Sequence, residues 1–165
     1  LDTNAAMWSD VILSDFYGTG EEQLSWLSSE VSSSTATWKV AYGHHPYRSN
    51  GQHGNAGDYE GYSWIPVASG ESVSEFMDDG LCGQVDLYLC GHDHNRQWLE
   101  PVCGVELMVS GAAAKTTDLE GRGNATFFED DQTEGFVWVE LRDEELTGEF
   151  YDSSGTLDFE QTVTR

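Results

Sequence analysis

The chain has 165 residues, the size of one domain with a sizeable core. Its 30 acidic and 7 basic residues give a net charge of −23, a field that repels nucleic acid and anionic membrane, so neither is expected as a partner. Hydrophobic residues make up 38%, with 6 Trp, 7 Tyr and 7 Phe, which argues against disorder; no apolar run approaches the ~20 residues of a membrane span, so no membrane insertion is expected.

The opening LDTNAAMWSD has no starting Met and no basic-then-apolar leader, and reads as the interior of a longer protein. VILSDF (11–16) predicts a short strand. TGEEQLSWLSSEVSSS predicts a helix: Thr19 and Glu22 have capping-box spacing, and Leu24, Leu27 and Val31 repeat on one face. The serine run ends it, and TWKVAYG predicts a strand leading straight into His44. A Gly- and Asn-rich loop follows from Pro46 to Trp64, of a length usually reserved for function. SVSEFMDDG predicts a second helix, with Ser72 and Glu75 in another capping box. QVDLYLCG predicts a strand ending at His92, and VELMVSG another ending in the small-residue stretch GAAAK. From Gly135 onward the apolar pattern alternates around RDEE and SSG turns, the signature of antiparallel hairpins. Strand and helix alternating, then a β meander, define an α/β class with a mixed sheet.

All five histidines fall in two short windows, GHHPYRSNGQHG (His44, His45, His53) and GHDH (His92, His94). Each window follows a predicted buried strand, and the carboxyl ends of such strands face the crevice where α/β proteins place their sites. A glycine before each window is expected to let the backbone turn sharply. An extended backbone through GHDH would point both rings to the same side, able to chelate one ion or meet two. Cys82, Cys90 and Cys103 form no zinc-type spacing. Cys90 reads as a small buried apolar residue, while Cys82 and Cys103 pair with each other or with a segment outside this chain. NAT makes Asn124 a candidate glycosylation site in a secretory setting.

GHHP, then HG, then GHDH resembles the second half of the calcineurin-like metallophosphoesterases, and within them the purple acid phosphatases of the small tartrate-resistant type. LDT, EEQLSWL, YLCGHDHNRQWL, VSGAAAK and GFVWVEL…LTGEFYDSSG extend the resemblance over nearly the whole chain. It implies half of a four-layer α/β/β/α sandwich, with residues 1–165 as the C-terminal half of one metallophosphoesterase domain. It also implies hydrolysis of phosphate monoesters at two metal ions, Fe plus Fe, Zn or Mn, with a metal-bound hydroxide as nucleophile. In that pattern His44 and His92 match ligands of the divalent ion and His94 a ligand of the other. His53 matches a histidine that contacts the substrate phosphate and protonates the leaving group. His45 matches no ligand and is expected to pack the loop.

The family's remaining ligands come from an early Asp, a GDxxY segment and a GNH segment. GDYEGY, GNAG and GNAT do not supply them. The missing N-terminal half, on the same protein or a separate chain, is therefore an expected partner beside the phosphate ester, and this chain alone is expected to be inactive. The expected setting is secreted or extracellular, the periplasm included. Two alternatives stand beside the acid phosphatase: a phosphodiesterase or nucleotidase on the same fold, and a non-catalytic phosphatase-like module of an extracellular assembly. Arg48 and Arg96 flank the windows and read best as ordinary surface arginines. Asn95 is expected to hydrogen-bond around the site, and Tyr62 and Trp64 to line its rim or pack the loop.

Overall fold

The computed structural model describes residues 1–3, 14–61 and 64–165. Helix α1 runs Ser14–Ser33, strand β1 Val40–Tyr42, and helix α2 Glu71–Gly80. The strands β2 (Leu87–Cys90), β3 (Arg96–Val102), β4 (Val105–Ser110) and β5 (Thr126–Asp130) follow, then β6 (Gly135–Arg142), β7 (Glu145–Asp152) and β8 (Leu157–Thr164). Among the described residues no helix is long and apolar enough to cross a membrane.

Five strands form a mixed sheet in the order β1-β2-β4-β3-β5, with β1, β2 and β4 parallel and β3 antiparallel to both of its neighbours. The three C-terminal strands form a second, antiparallel sheet in the order β6-β7-β8. Strand alternation sends one set of side chains to each face of the mixed sheet. Tyr88, Leu99, Val105, Leu107 and Val109 join Leu27 and Val31 of α1 and Val73, Phe76 and Met77 of α2 in one core. Leu87, Trp98 and Met108 meet Leu146 and Phe150 of β7 in the other. The layers are thus helices, mixed sheet and antiparallel sheet, three layers of the expected α/β sandwich. Close approach of the sheets fixes one residue type: a Cβ at Gly148 would stand 2.7 Å from the Trp98 ring.

Several local expectations change. Ser14–Phe16 of VILSDF belong to the first turn of α1, and Val11–Leu13 lie outside the described residues. Thr19 therefore lies within the helix and opens no capping box. Helix α2 is capped by Gly70 in the left-handed region (φ 69), with Ser72 already inside the helix. The Tyr59 ring lies 2.3 Å from where a Cβ at Gly70 would stand, so only glycine fits. Strands β3 and β5 are additional to the sequence reading. The C-terminal hairpins lie as read, and Cys82 is bonded to Cys103, leaving Cys90 free and half-buried.

Candidate metal centre

Strands β1 and β2 pair in parallel, so their carboxyl ends lie side by side and deliver His44 and His92 to one place. The Gly91 amide donates to the His44 carbonyl at 3.1 Å and locks the two motifs together. His44 Nε2 and His92 Nδ1 stand 3.0 Å apart. The His45 ring lies 4.6 Å from that of His92, and the His53 ring lies 4.0 Å from it. His44, His45 and His92 each offer a ring nitrogen, and these lie within 4.8 Å of one another.

The sharp turn is not at the glycines. His92 itself takes the left-handed conformation (φ 65), which a non-glycine residue seldom adopts. This turn replaces the expected extended run through GHDH, and among the described residues His94 is not part of the three-nitrogen group, though it is close enough to His92 to act on it electrostatically. The His94 carbonyl instead accepts the Thr117 amide at 2.8 Å.

Burial, and then mutual repulsion, favours the neutral form of His92 and His45. His92 is lowered to about 3, by burial first and then by repulsion from His53, His45, His44 and His94. His45 is lowered to about 4 for the same reasons, burial again leading. Burial and then the Lys115 charge lower His94 as well. Neutral imidazoles hold free lone pairs, the form that binds a transition metal. The His44 and His92 nitrogens, 3.0 Å apart, suit one shared ion with bonds of roughly 2 Å. The residues therefore fit a single ion at His44 and His92. Among the described residues the group contains no carboxylate, so nothing in it bridges a second ion.

His53 comes from the loop, with its Nδ1 against the Glu60 carboxylate and its amide on Asp93. His45 is buried, its Nδ1 2.9 Å from Thr3 Oγ1, its amide on the same oxygen, and its carbonyl accepting from Tyr88. Arg48 lies over the Tyr47 ring and donates to the Ala56 carbonyl. Arg96 is no surface arginine: it is fully buried and pairs with Asp130 and Asp158 at 2.8 Å each. Asn95 is buried and accepts from Gln97 at 2.6 Å. Trp64 is 76% exposed, and Tyr62 lies outside the described residues. Asn124 Nδ2, the atom a glycan would need, donates to Ser49, Asn50 and Asn55 oxygens at 2.9–3.0 Å. Sequence reasoning missed Thr3, Glu60 and above all Asp93. Its position between two histidines was the available signal.

No protein-family profile matches the chain. It is 30% identical over 129 residues to purple acid phosphatase 3 of Arabidopsis thaliana, a match covering 74% of this chain and 31% of that protein. It is 27% identical over 156 residues to tartrate-resistant acid phosphatase type 5 of Rattus norvegicus, covering 90% of this chain and 44% of that one. Among solved structures, GAP50, the anchor in the inner membrane complex of Plasmodium, superposes with a TM-score of 0.74 at 20% identity, over 99% of this chain and 47% of that one. The yellow lupin purple acid phosphatase PPD1 gives 0.63 at 20% identity, over 87% of this chain and 28% of that one. Fold and matches together define a partial metallophosphoesterase. Its sequence relatives are purple and tartrate-resistant acid phosphatases, and it spans less than half the length of those it matches.

Proposed function

We propose that this chain is the C-terminal half of a secreted metallophosphoesterase that hydrolyses phosphate monoesters at a two-metal centre. The observation that supports this most is the pairing of His44 Nε2 and His92 Nδ1 at 3.0 Å on adjacent strand ends, with the His53 ring tilted against that of His92, centroids 4.0 Å apart. His44 and His92 would hold one ion, and His94 one coordination position of a second. Bound metal would supply Lewis acidity and an activated water. His53, its ring 4.0 Å from that of His92, would be within reach of a phosphate on that ion. Its ring would hydrogen-bond the phosphate and pass a proton from Nε2 to the leaving oxygen, while Nδ1 stays paired with Glu60. In a chain of net charge −23, phosphate would be drawn in by these local groups and not by the overall field.

The remaining ligands and the bridging carboxylate would come from the missing N-terminal half. The outer edge of β1 fits that role: β1 pairs with β2 alone among the described strands, only the Leu1 amine is seen to donate to its Tyr42 carbonyl, and Tyr42 is 70% exposed. The Cys82–Cys103 disulfide fits an extracytoplasmic setting. The phosphodiesterase or nucleotidase alternative differs in substrate, and a panel of esters separates it. A second reading is a non-catalytic module on the same fold; among the described residues the histidine group contains no carboxylate, and the enzyme reading needs one from elsewhere.

Metal analysis and an aryl phosphate assay on the natural protein that carries this chain decide between them. Two ions per site with turnover supports the enzyme, and an inert, metal-free protein overturns it. His44→Ala and His92→Ala should each remove metal and activity together. His53→Ala should lower turnover by about 10²-fold with metal retained.

A further inference from the structure

We propose that Asp93 is a positioning residue for His53, fixing the imidazole against His92 through the backbone of the loop; this rests on the phosphate-binding reading of His53. Asp93 is fully buried, and among the described residues no lysine or arginine pairs with it. Its carboxylate is answered by the opposite histidine window. Oδ1 accepts the His53 amide at 2.8 Å. Oδ2 accepts the Ser49 hydroxyl at 2.5 Å and the Gly54 amide at 3.4 Å. Ser49 Oγ already accepts from the Gly51 amide and from Gln97, both at 2.9 Å, so its single hydrogen points to Asp93. The carboxylate thus offers an acceptor oxygen to each of these three donors.

The loop is shaped around this contact. A Cβ at Gly51 would stand 2.4 Å from Asp93 Cγ, so the carboxylate occupies the space that any other residue would need. From the other side Arg122 donates to the Gly51 carbonyl at 2.9 Å and to the Gln52 carbonyl at 2.5 Å. Four consecutive residues, 51–54, are thereby held by two side chains, one taking amides and one giving to carbonyls. The held segment carries His53, whose ring lies 4.0 Å from that of His92. Asp93 follows His92 directly, so one short segment supplies a metal-ligating ring and the anchor that sets the facing ring.

The test uses the zinc-loaded natural protein and compares Asp93→Asn, Asp93→Ala, His53→Ala and the Asp93→Asn/His53→Ala pair. Asp93→Asn keeps the volume, so it reports even where Asp93→Ala does not fold. The histidine Cε1–H NMR signal of His53, assigned by its loss in His53→Ala, should leave the position that its contact with the His92 ring gives it. The dissociation constant for inorganic phosphate should rise about 10- to 100-fold, as for other groups that orient a site residue, with zinc content unchanged. The pair should bind phosphate no more weakly than His53→Ala alone, because Asp93 acts through His53. An unmoved His53 signal in Asp93→Asn overturns the inference, and so does additivity in the pair. Unchanged phosphate affinity in His53→Ala instead sinks the phosphate reading, and the NMR signal then decides the positioning by itself.

Discussion

Gly111→Ala is the substitution on which the geometry of GHDH is most exposed. Gly111 follows β4 and donates its amide to the Asn95 carbonyl at 3.0 Å, which draws its backbone against the histidine turn. A Cβ there would stand 1.9 Å from the Asp93 carbonyl oxygen, 2.9 Å from the carbonyl carbon and 3.4 Å from His94 Cα. These neighbours are backbone, so no rotamer change relieves the clash, and β4 must part from the turn by roughly 1 Å. Overpacking of this kind costs about 1–3 kcal/mol, a large share of the ~5–15 kcal/mol that holds a domain together. Urea unfolding should show the midpoint falling at unchanged slope, and zinc affinity should fall as His92 and His94 shift. Gly91→Ala is the comparison: no heavy atom lies within 4 Å of the added methyl, so its cost should stay within about 0.5 kcal/mol. A Gly111→Ala protein as stable as wild type, or a Gly91→Ala protein equally damaged, would refute the reasoning.

Phe150→Ala removes a fully buried ring packed 4.8 Å from Phe128 between the two sheets, and should cost about 3–5 kcal/mol by urea unfolding. Reduction of Cys82–Cys103, 21 residues apart, should lower stability by about 3 kcal/mol, read as a fall in Tm with dithiothreitol. The metal-free protein should lose stability as pH falls from 6.5 towards about 4. His45 is held to about 4 when folded against an ordinary 6.5, so the unfolded chain binds the extra proton across that window. His92, held to about 3, contributes over the same window. His45→Gln should therefore make that part of the stability profile less steep without flattening it, and an unchanged slope would count against burial of His45 as a cause.

The sequence made legible what periodicity records. Apolar runs marked β2 and β4, alternation marked β6, β7 and β8, and strand ends marked His44 and His92. Strand β3 was hidden because Arg96 and Gln97 open it and Pro101 lies within it, a pattern that looks like exposed loop. Both polar residues are fully buried, Arg96 against Asp130 and Asp158. A buried charge is tolerated only with its partner in place, and Asp158 lies on the other sheet, too far along the chain for any window to see. Strand β5 was hidden by the same acids, Glu129 and Asp130, which read as solvated surface until Arg96 and Asn50 claim them. The turn at His92 failed for a related reason. Nothing in GHDH itself demands a left-handed residue. The demand comes from outside the motif, where the Asp93 carboxylate reaches the Ser49–Gly54 loop and its carbonyl rests on Gly111. The two histidine windows therefore define each other's geometry: His92 and Asp93 come as one segment, and the left-handed turn at His92 accompanies the contact Asp93 makes with the His53 amide.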